Sequence, residues 1–207
     1  MGSQRAQKMA TRKTRIKLLR TVFVLFALSA LFTGHPWMGR WGIDCAVKSV
    51  GYVLLAAGLG FRLWAILYIG SRKSKELITE GPYSLCRNPL YLGTFAIYLG
   101  AALCLENLVL CILFVGVVIP VHLLVVLSEE RQLSELFPQE YDEYRKKVPR
   151  FRISRKNYST PKNLTISTKV VQRAALEAFI IASIPPLGHV IEVLQVQEIL
   201  PVLWVFP

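Results

Sequence analysis

The chain has 207 residues, 53% of them hydrophobic, and a formal net charge of +12, with a mean hydropathy of +0.42. That length suits one domain, and that hydrophobicity excludes an ordinary soluble one. The basic residues gather beside apolar runs, where lipid head groups and topology account for them, so the charge argues against nucleic acid as a partner.

Arg5, Lys8, Arg12, Lys13, Arg15 and Lys17 precede the first apolar run, Leu18 to Thr33, with no acid among them. No clear small-residue cleavage site follows and more apolar spans do, so this run reads as a retained helix and not a signal peptide. The second span runs from about Ser49 to Ile69 and carries Arg62 near its far end. A bilayer crossing takes about 20 residues at 1.5 Å each.

Pro89 disfavours helix at Asn88 and suits a first helical turn, so Gly81 to Asn88 is expected to be an ordered loop and Pro89 the start of the third span. Leu90 to Leu127 is too long for one crossing and carries Glu106-Asn107 in its middle, which predicts a helical hairpin. Beyond Glu130, the spacing of Leu133, Leu136, Phe137, Tyr141 and Tyr144 predicts an amphipathic helix on the cytoplasmic side. Glu192, Gln195 and Glu198 share a face in the C-terminal segment and read as packing residues, and Pro185-Pro186 break that segment.

The fold class expected is therefore all-α, a polytopic membrane bundle of about five helical segments with a cytoplasmic amphipathic helix. One domain fills the chain, with a core at 49–153, a polar linker at 154–172 and a broken or interfacial helix at 173–207. With the basic N-terminus in the cytoplasm, every loop obeys the positive-inside rule. Asn157-Tyr158-Ser159 and Asn163-Leu164-Thr165 match the glycosylation pattern but fall on the cytoplasmic side, where they stay unmodified.

This topology brings two polar clusters to one membrane face. Arg87 can bind an anion, Tyr83 and Tyr91 offer aromatic faces, and Glu129 and Glu130 can attract a cation, bind ribose hydroxyls or accept a proton. Singly, each has a plain structural use: a GPY turn, a snorkelling arginine, a solvated juxtamembrane acid. Arg62 can snorkel, or pair with a glutamate or a cofactor carboxylate; His122 can line an acceptor tunnel or bond a neighbouring helix. Cys45, Cys86, Cys104 and Cys111 form no CxxC and support neither a metal site nor a disulfide framework.

The joint pattern resembles the isoprenylcysteine carboxyl methyltransferase and phospholipid methyltransferase superfamily, with its G-x-Y-x-x-x-R-H-P-x-Y-x-G, apolar hairpin, E-E-x-x-L and Phe-x-x-x-Tyr-x-x-Tyr. The matches are Gly81, Tyr83, Arg87, Pro89, Tyr91, Gly93, Glu129, Glu130, Leu133, Phe137, Tyr141 and Tyr144. Asn88 stands where the pattern has histidine, keeping hydrogen bonding but losing a titrating group.

The resemblance implies an integral membrane methyltransferase that uses S-adenosylmethionine and takes a lipid-soluble or lipidated acceptor from the membrane. Tyr83, Arg87, Asn88, Tyr91, Glu129 and Glu130 are the expected cofactor contacts, and Arg87, Glu129 and Glu130 the expected catalytic residues. The motif leans toward the isoprenylcysteine carboxyl methyltransferase-like branch. Phospholipid or small-amine N-methylation, a membrane reductase using NADPH, and a non-catalytic lipid-binding scaffold stay open.

Overall fold

The computed structural model describes residues 21, 24, 28, 31–34, 41–70, 72 and 76–205, so most of the predicted first span lies outside the described residues. The described part is all-helical apart from a two-residue parallel pairing of Thr33–Gly34 with Trp204–Val205. In chain order the helices are α1 (Trp41–Ile69), α2 (Pro82–Leu85), α3 (Pro89–Cys104), α4 (Leu108–Leu113), α5 (Ile119–Leu136), α6 (Pro138–Lys147), α7 (Thr168–Ala182) and α8 (Ile184–Val196). Among the described residues, three stretches are long and apolar enough to cross a membrane: Gly42–Ile69, Leu108–Leu136 and Thr168–Val196. Pro89–Cys104 is a shorter apolar helix.

α1 and α3 pack closest, and glycine is the reason. A Cβ on Gly58 would lie 2.8 Å from the Gly93 carbonyl oxygen, and one on Gly100 would lie 2.8 Å from the Gly51 carbonyl oxygen. Lipid tails are as apolar as leucine, so membrane helices gain adhesion from close backbone approach at small residues. Two glycines seven apart on each helix, meeting in opposite order, make the pair antiparallel and bring Arg62 of α1 beside α3.

The expected hairpin is present. α3 ends at Cys104, Glu106 takes a positive φ of 46°, and the Asn107 side chain caps α4 by accepting from the Leu110 amide at 3.2 Å. The return limb carries a π-helical turn at Phe114–Val118, directly before Pro120 in the first turn of α5. Proline clashes with the carbonyl four residues back and donates nothing, and a wider turn absorbs both defects.

Two expectations change in detail. The loop from Gly81 to Asn88 contains the short helix α2, started by Pro82, and the amphipathic segment after Glu130 is broken at Phe137, where Pro138 starts α6. Pro185 and Pro186 fall in the first turn of α8, where a missing donor costs little, so α7 and α8 follow one another across Ser183. The linker is anchored. The Tyr68 hydroxyl is 2.9 Å from that of Thr160, the Gly81 amide donates to the Ser159 carbonyl at 2.7 Å, and Leu164 packs against the cluster of Ala65, Tyr68, Ile78 and Tyr83.

Candidate functional site

Gly81 opens the site. Its φ is 58°, and a Cβ there would collide with the Tyr68 ring, so the turn admits only glycine without strain. α2 then presents the Tyr83 carbonyl to the Tyr144 hydroxyl, which donates to it at 2.6 Å. Tyr141, Tyr144 and Val148 form a buried cluster with Leu77, Leu133 and Phe137, so the aromatic pair of α6 wedges under the loop.

Pro149 disfavours helix at Val148, which takes an extended conformation and turns the chain back along the loop. The Arg87 amide donates to the Pro149 carbonyl at 2.9 Å, the Asn88 amide to the Arg150 carbonyl at 3.2 Å, and the Ser154 amide to the Leu85 carbonyl at 3.0 Å. This pairing delivers the Arg150 side chain to the end of α5.

Glu130 is the centre. The Asn88 side-chain amide donates to its Oε1 at 2.8 Å, and Arg150 reaches both oxygens, with Nη2 to Oε2 at 2.8 Å and Nε shared between Oε2 at 3.1 Å and Oε1 at 3.2 Å. Arg87 Nη1 lies 3.7 Å from Oε2. The Glu130 side chain is only 11% exposed while that of Arg150 is 44% exposed, so the ion pair reaches from the interior to the surface. Its neighbour Glu129 accepts a hydrogen bond from the Tyr91 hydroxyl at 2.9 Å.

Tyr83, Arg87, Asn88, Tyr91, Glu129 and Glu130 all line one cavity of about 120 Å³, together with Tyr141 and Tyr144. The structure thus brings together the six residues expected as cofactor contacts, from both sides of the hairpin. Among the described residues, the buried Tyr83 hydroxyl and the buried Arg87 Nε have no hydrogen-bond partner, and Tyr141 lies beside the Arg87 guanidinium. Burial first, then the nearby Tyr144 and Glu129, push the Tyr83 phenol well above its ordinary range, so it stays a neutral donor. Burial also pushes the Cys86 thiol up to about 11, which keeps it an unreactive packing group.

Asn88 N-caps α3 by position but spends no side-chain bond on the helix. Its amide goes to Glu130 instead, so the histidine of the family pattern is replaced here by a non-titrating donor to a carboxylate. In the sequence Arg150 is one of the basic residues beside apolar runs that lipid head groups and topology account for. The signal that finds it is Val148-Pro149, where the proline ends the helix and leaves Val148 extended, so that the next carbonyls meet the Arg87 and Asn88 amides.

Arg62 resolves to pairing and not to snorkelling. Its Nε bonds Glu177 of α7, and its Nη1 donates to Thr94 Oγ1 at 2.6 Å. His122 Nδ1 bonds the Val118 carbonyl at 2.8 Å, within its own helical limb and not on a neighbour as expected, and its ring lies edge-on to Tyr91, Phe95 and Tyr98. Glu192 binds Lys48 at 2.9 Å, and buried Gln195 donates to the Leu31 carbonyl at 3.0 Å. Both serve packing, as the sequence reading had it.

The profile of the phospholipid methyltransferase family matches residues 47–140. The chain is 39% identical over 138 residues to the nickel-cobalt-cadmium resistance protein NccN of Alcaligenes xylosoxydans xylosoxydans, covering 66% of this chain and 63% of that protein. It is 34% identical over 151 residues to the cobalt-zinc-cadmium resistance protein CzcN of Cupriavidus metallidurans, covering 72% and 68% respectively. Over 83 residues it is 36% identical to the protein-S-isoprenylcysteine O-methyltransferase of Schizosaccharomyces pombe, covering 39% of this chain and 35% of that protein. The chain thus spans just under two thirds of NccN and just over two thirds of CzcN. No solved structure matches it.

Proposed function

The chain belongs to the superfamily of integral membrane methyltransferases that holds the phospholipid and isoprenylcysteine methyltransferases, and from that premise we propose that it moves a methyl group from S-adenosylmethionine to a lipid-soluble or lipidated acceptor. The observation that carries this reading is that Tyr83, Arg87 and Tyr91 on one side of the hairpin and Glu129 and Glu130 on the other line one cavity.

The residues present fit the cofactor. The Tyr83 hydroxyl and Arg87 Nε are buried and lack a partner among the described residues, and a buried donor without an acceptor is costly unless a ligand supplies one. Arg87 would hold the carboxylate of the amino-acid end, Tyr83 and Tyr91 the flat and cationic parts, and Glu129 the ammonium or ribose. When bound, the cofactor supplies an electrophilic methyl: its carbon–sulfur bond breaks with the electron pair going to sulfur as the acceptor atom bonds the carbon.

The protein's part is to position and to exclude water. Glu130 anchors Asn88, Arg87 and Arg150 and so fixes the loop that bears Tyr83; its oxygens are taken up by those donors. A carboxylate acceptor, as in the isoprenylcysteine branch, arrives ready to react. An ammonium acceptor would first lose a proton, and Glu129, beside the Tyr91 hydroxyl, is the carboxylate placed to take it. A rate that rises with pH through the acceptor amine's pKa would identify the amine branch; a rate independent of pH in that range supports the carboxylate.

The active site is assigned to the cytoplasmic side by the positive-inside rule. The metal-resistance names of NccN and CzcN fit a carboxyl acceptor chemically, since a methyl ester removes an anionic oxygen that would hold a divalent cation. Calorimetry with S-adenosylmethionine and its demethylated product on detergent-purified protein tests the proposal. Saturable binding that Arg87→Ala abolishes supports it, and folded protein that binds neither compound overturns it.

A further inference from the structure

From Arg145 to Arg173 the chain carries ten lysines and arginines and no acid. Those on α6 are balanced locally: Arg145 and Lys146 pair with Asp142, and Lys147 pairs with Glu143. Arg150 is taken by Glu130. Arg152, Arg155, Lys156, Lys162, Lys169 and Arg173 are exposed and have no carboxylate partner among the described residues. Like charges gathered in this way repel one another, and an anionic partner relieves that repulsion.

Both ends of this strip are pinned to the bundle where apolar helices end. Lys169 and Arg173, on one face of α7, sit at the start of the stretch Thr168–Val196 that is long and apolar enough to cross a membrane. Val170 packs so closely on Gly70, just past the end of α1, that a Cβ on Gly70 would collide with it. At the other end Phe151 reaches back into the bundle, its ring 5.9 Å from that of Phe95 on α3. Between these anchors Ile153 and Tyr158 stand 53% and 50% exposed among the cations. A bilayer interface accepts both kinds of side chain: phosphates take the cations, and the head-group boundary takes the apolar and tyrosine groups. An exposed isoleucine gains nothing from a nucleic-acid backbone.

We propose that the strip from Arg152 to Arg173 is a docking surface for anionic phospholipid head groups, and that lipid held there clamps the loop of the candidate site. The backbone laces the strip to that loop. On one side of Arg152 the Arg87 and Asn88 amides donate to the Pro149 and Arg150 carbonyls, and beyond it the Ser154 amide donates to the Leu85 carbonyl and the Gly81 amide to the Ser159 carbonyl. The Ser159 amide also donates to Ser84 Oγ at 3.3 Å. Holding Arg152, Arg155 and Lys156 on phosphates therefore steadies the groups between and beside them that bind the Gly81 to Asn88 loop. The strip lies beyond residues 47–140, the segment that matches the family profile. The surface stands on its own, while its effect on cofactor affinity rests on the methyltransferase reading. Salt screens such attraction over about 10 Å at 0.1 M, so both effects weaken as salt rises.

The full-length protein is placed in nanodiscs of phosphatidylcholine, alone or mixed with phosphatidylglycerol. Native mass spectrometry of protein released from the mixed discs counts the phosphatidylglycerol it retains, and hydrogen exchange follows peptides covering Gly81, Arg87 and Ser154. The triple variant Arg152→Gln, Arg155→Gln, Lys156→Gln, changed only at exposed positions, should lose most of the retained lipid. Its control, Arg145→Gln, Lys146→Gln, Lys147→Gln, removes the same charge from the locally balanced helix and should retain nearly as much as wild type. Mixed discs should slow exchange in the loop several-fold and tighten S-adenosylmethionine binding several-fold in wild type, and do neither in the first variant. Equal losses in the two variants would trace retention to net charge, and full retention in the first would place the lipid elsewhere; either overturns the surface. Release of the lipid by added polyuridylate would assign the strip to nucleic acid and overturn it too. Lipid retention with loop exchange equal in the two discs overturns the clamp. Retention and loop protection in a protein that binds no cofactor uphold the surface and the clamp and overturn the methyltransferase reading alone.

Discussion

The Asn88 side-chain amide donates to Glu130 Oε1 at 2.8 Å across the hairpin, joining the start of α3 to the end of α5. A carboxylate can only accept, so the asparagine nitrogen must face it. Asn88 therefore does the work of a neutral donor, and a titrating imidazole is dispensable for that contact. Asn88→His, which restores the family residue, should bind S-adenosylmethionine within a few-fold of wild type. Asn88→Asp should weaken binding by about tenfold or more, or about 1.4 kcal/mol, because it sets two carboxylates against each other. Calorimetry on the two variants decides it; equal affinities would mean that the contact does not shape the site.

Arg62 and Glu177 form an ion pair between α1 and α7 whose side chains are 26% and 28% exposed. Breaking one partner strands the other charge in a region read as membrane-embedded, whereas replacing both with apolar residues removes the desolvation cost along with the attraction. Glu177→Leu alone should destabilise the protein by roughly 3 kcal/mol. The Arg62→Leu, Glu177→Leu double variant should recover most of that loss. Thermal unfolding in detergent measures both, and a double variant no better than the single one would show that the pair holds more than charge balance.

Gly58 and Gly93 face each other so closely that a Cβ on either would lie 2.8 Å from the other's carbonyl oxygen. Backbone cannot move aside as a side-chain tip can. Gly93→Ala should push α1 from α3 and cost about 1–3 kcal/mol, the range for overpacked sites. Gly60→Ala, where a Cβ meets nothing within 4 Å, is the matched control and should be neutral or slightly stabilising, alanine being the better helix former. Similar losses in melting temperature for both would place the cost in glycine's flexibility and not in the helix contact.

What the sequence disclosed depended on how local the physical cause was. Pro89 as a helix start and Glu106-Asn107 as the hairpin turn are local signals, and both appear where their neighbours dictate. The cavity residues were legible because hairpin closure is a matter of length: limbs of similar length return the chain to the face it left. Arg150 and Glu177 were missed because their partners lie 20 residues or more away in sequence and on separate elements. Glu177 had a signal, an acid in an apolar run opposite an unpaired intramembrane arginine. Pro120 was likewise passed over, although a proline inside a membrane helix always asks how the turn before it is relieved.

At the end of the bundle away from the site, Glu106 has a side chain with no exposed surface and faces Lys48, whose Nζ lies 3.6 Å from its Oε2. Lys48 also holds Asp44 at 2.8 Å and Glu192 at 2.9 Å, so one ammonium serves three carboxylates. Burial first and the hydrogen bond with Asp44 second push the Glu106 carboxyl from an ordinary 4.5 up to about 8, against the opposing pull of Lys48. The folded protein thus keeps a proton that the unfolded chain releases near 4.5. Such a group stabilises the fold fully at pH below the unfolded value and loses that contribution as pH rises through about 8. The melting temperature should therefore fall between about pH 5 and pH 9, by an amount corresponding to a few kcal/mol. Glu106→Gln carries a permanent neutral side chain of the same shape and should flatten that profile, leaving S-adenosylmethionine binding at the opposite end unchanged. A wild-type profile that is already flat, or a variant that keeps the same slope, would take the alkaline sensitivity away from Glu106.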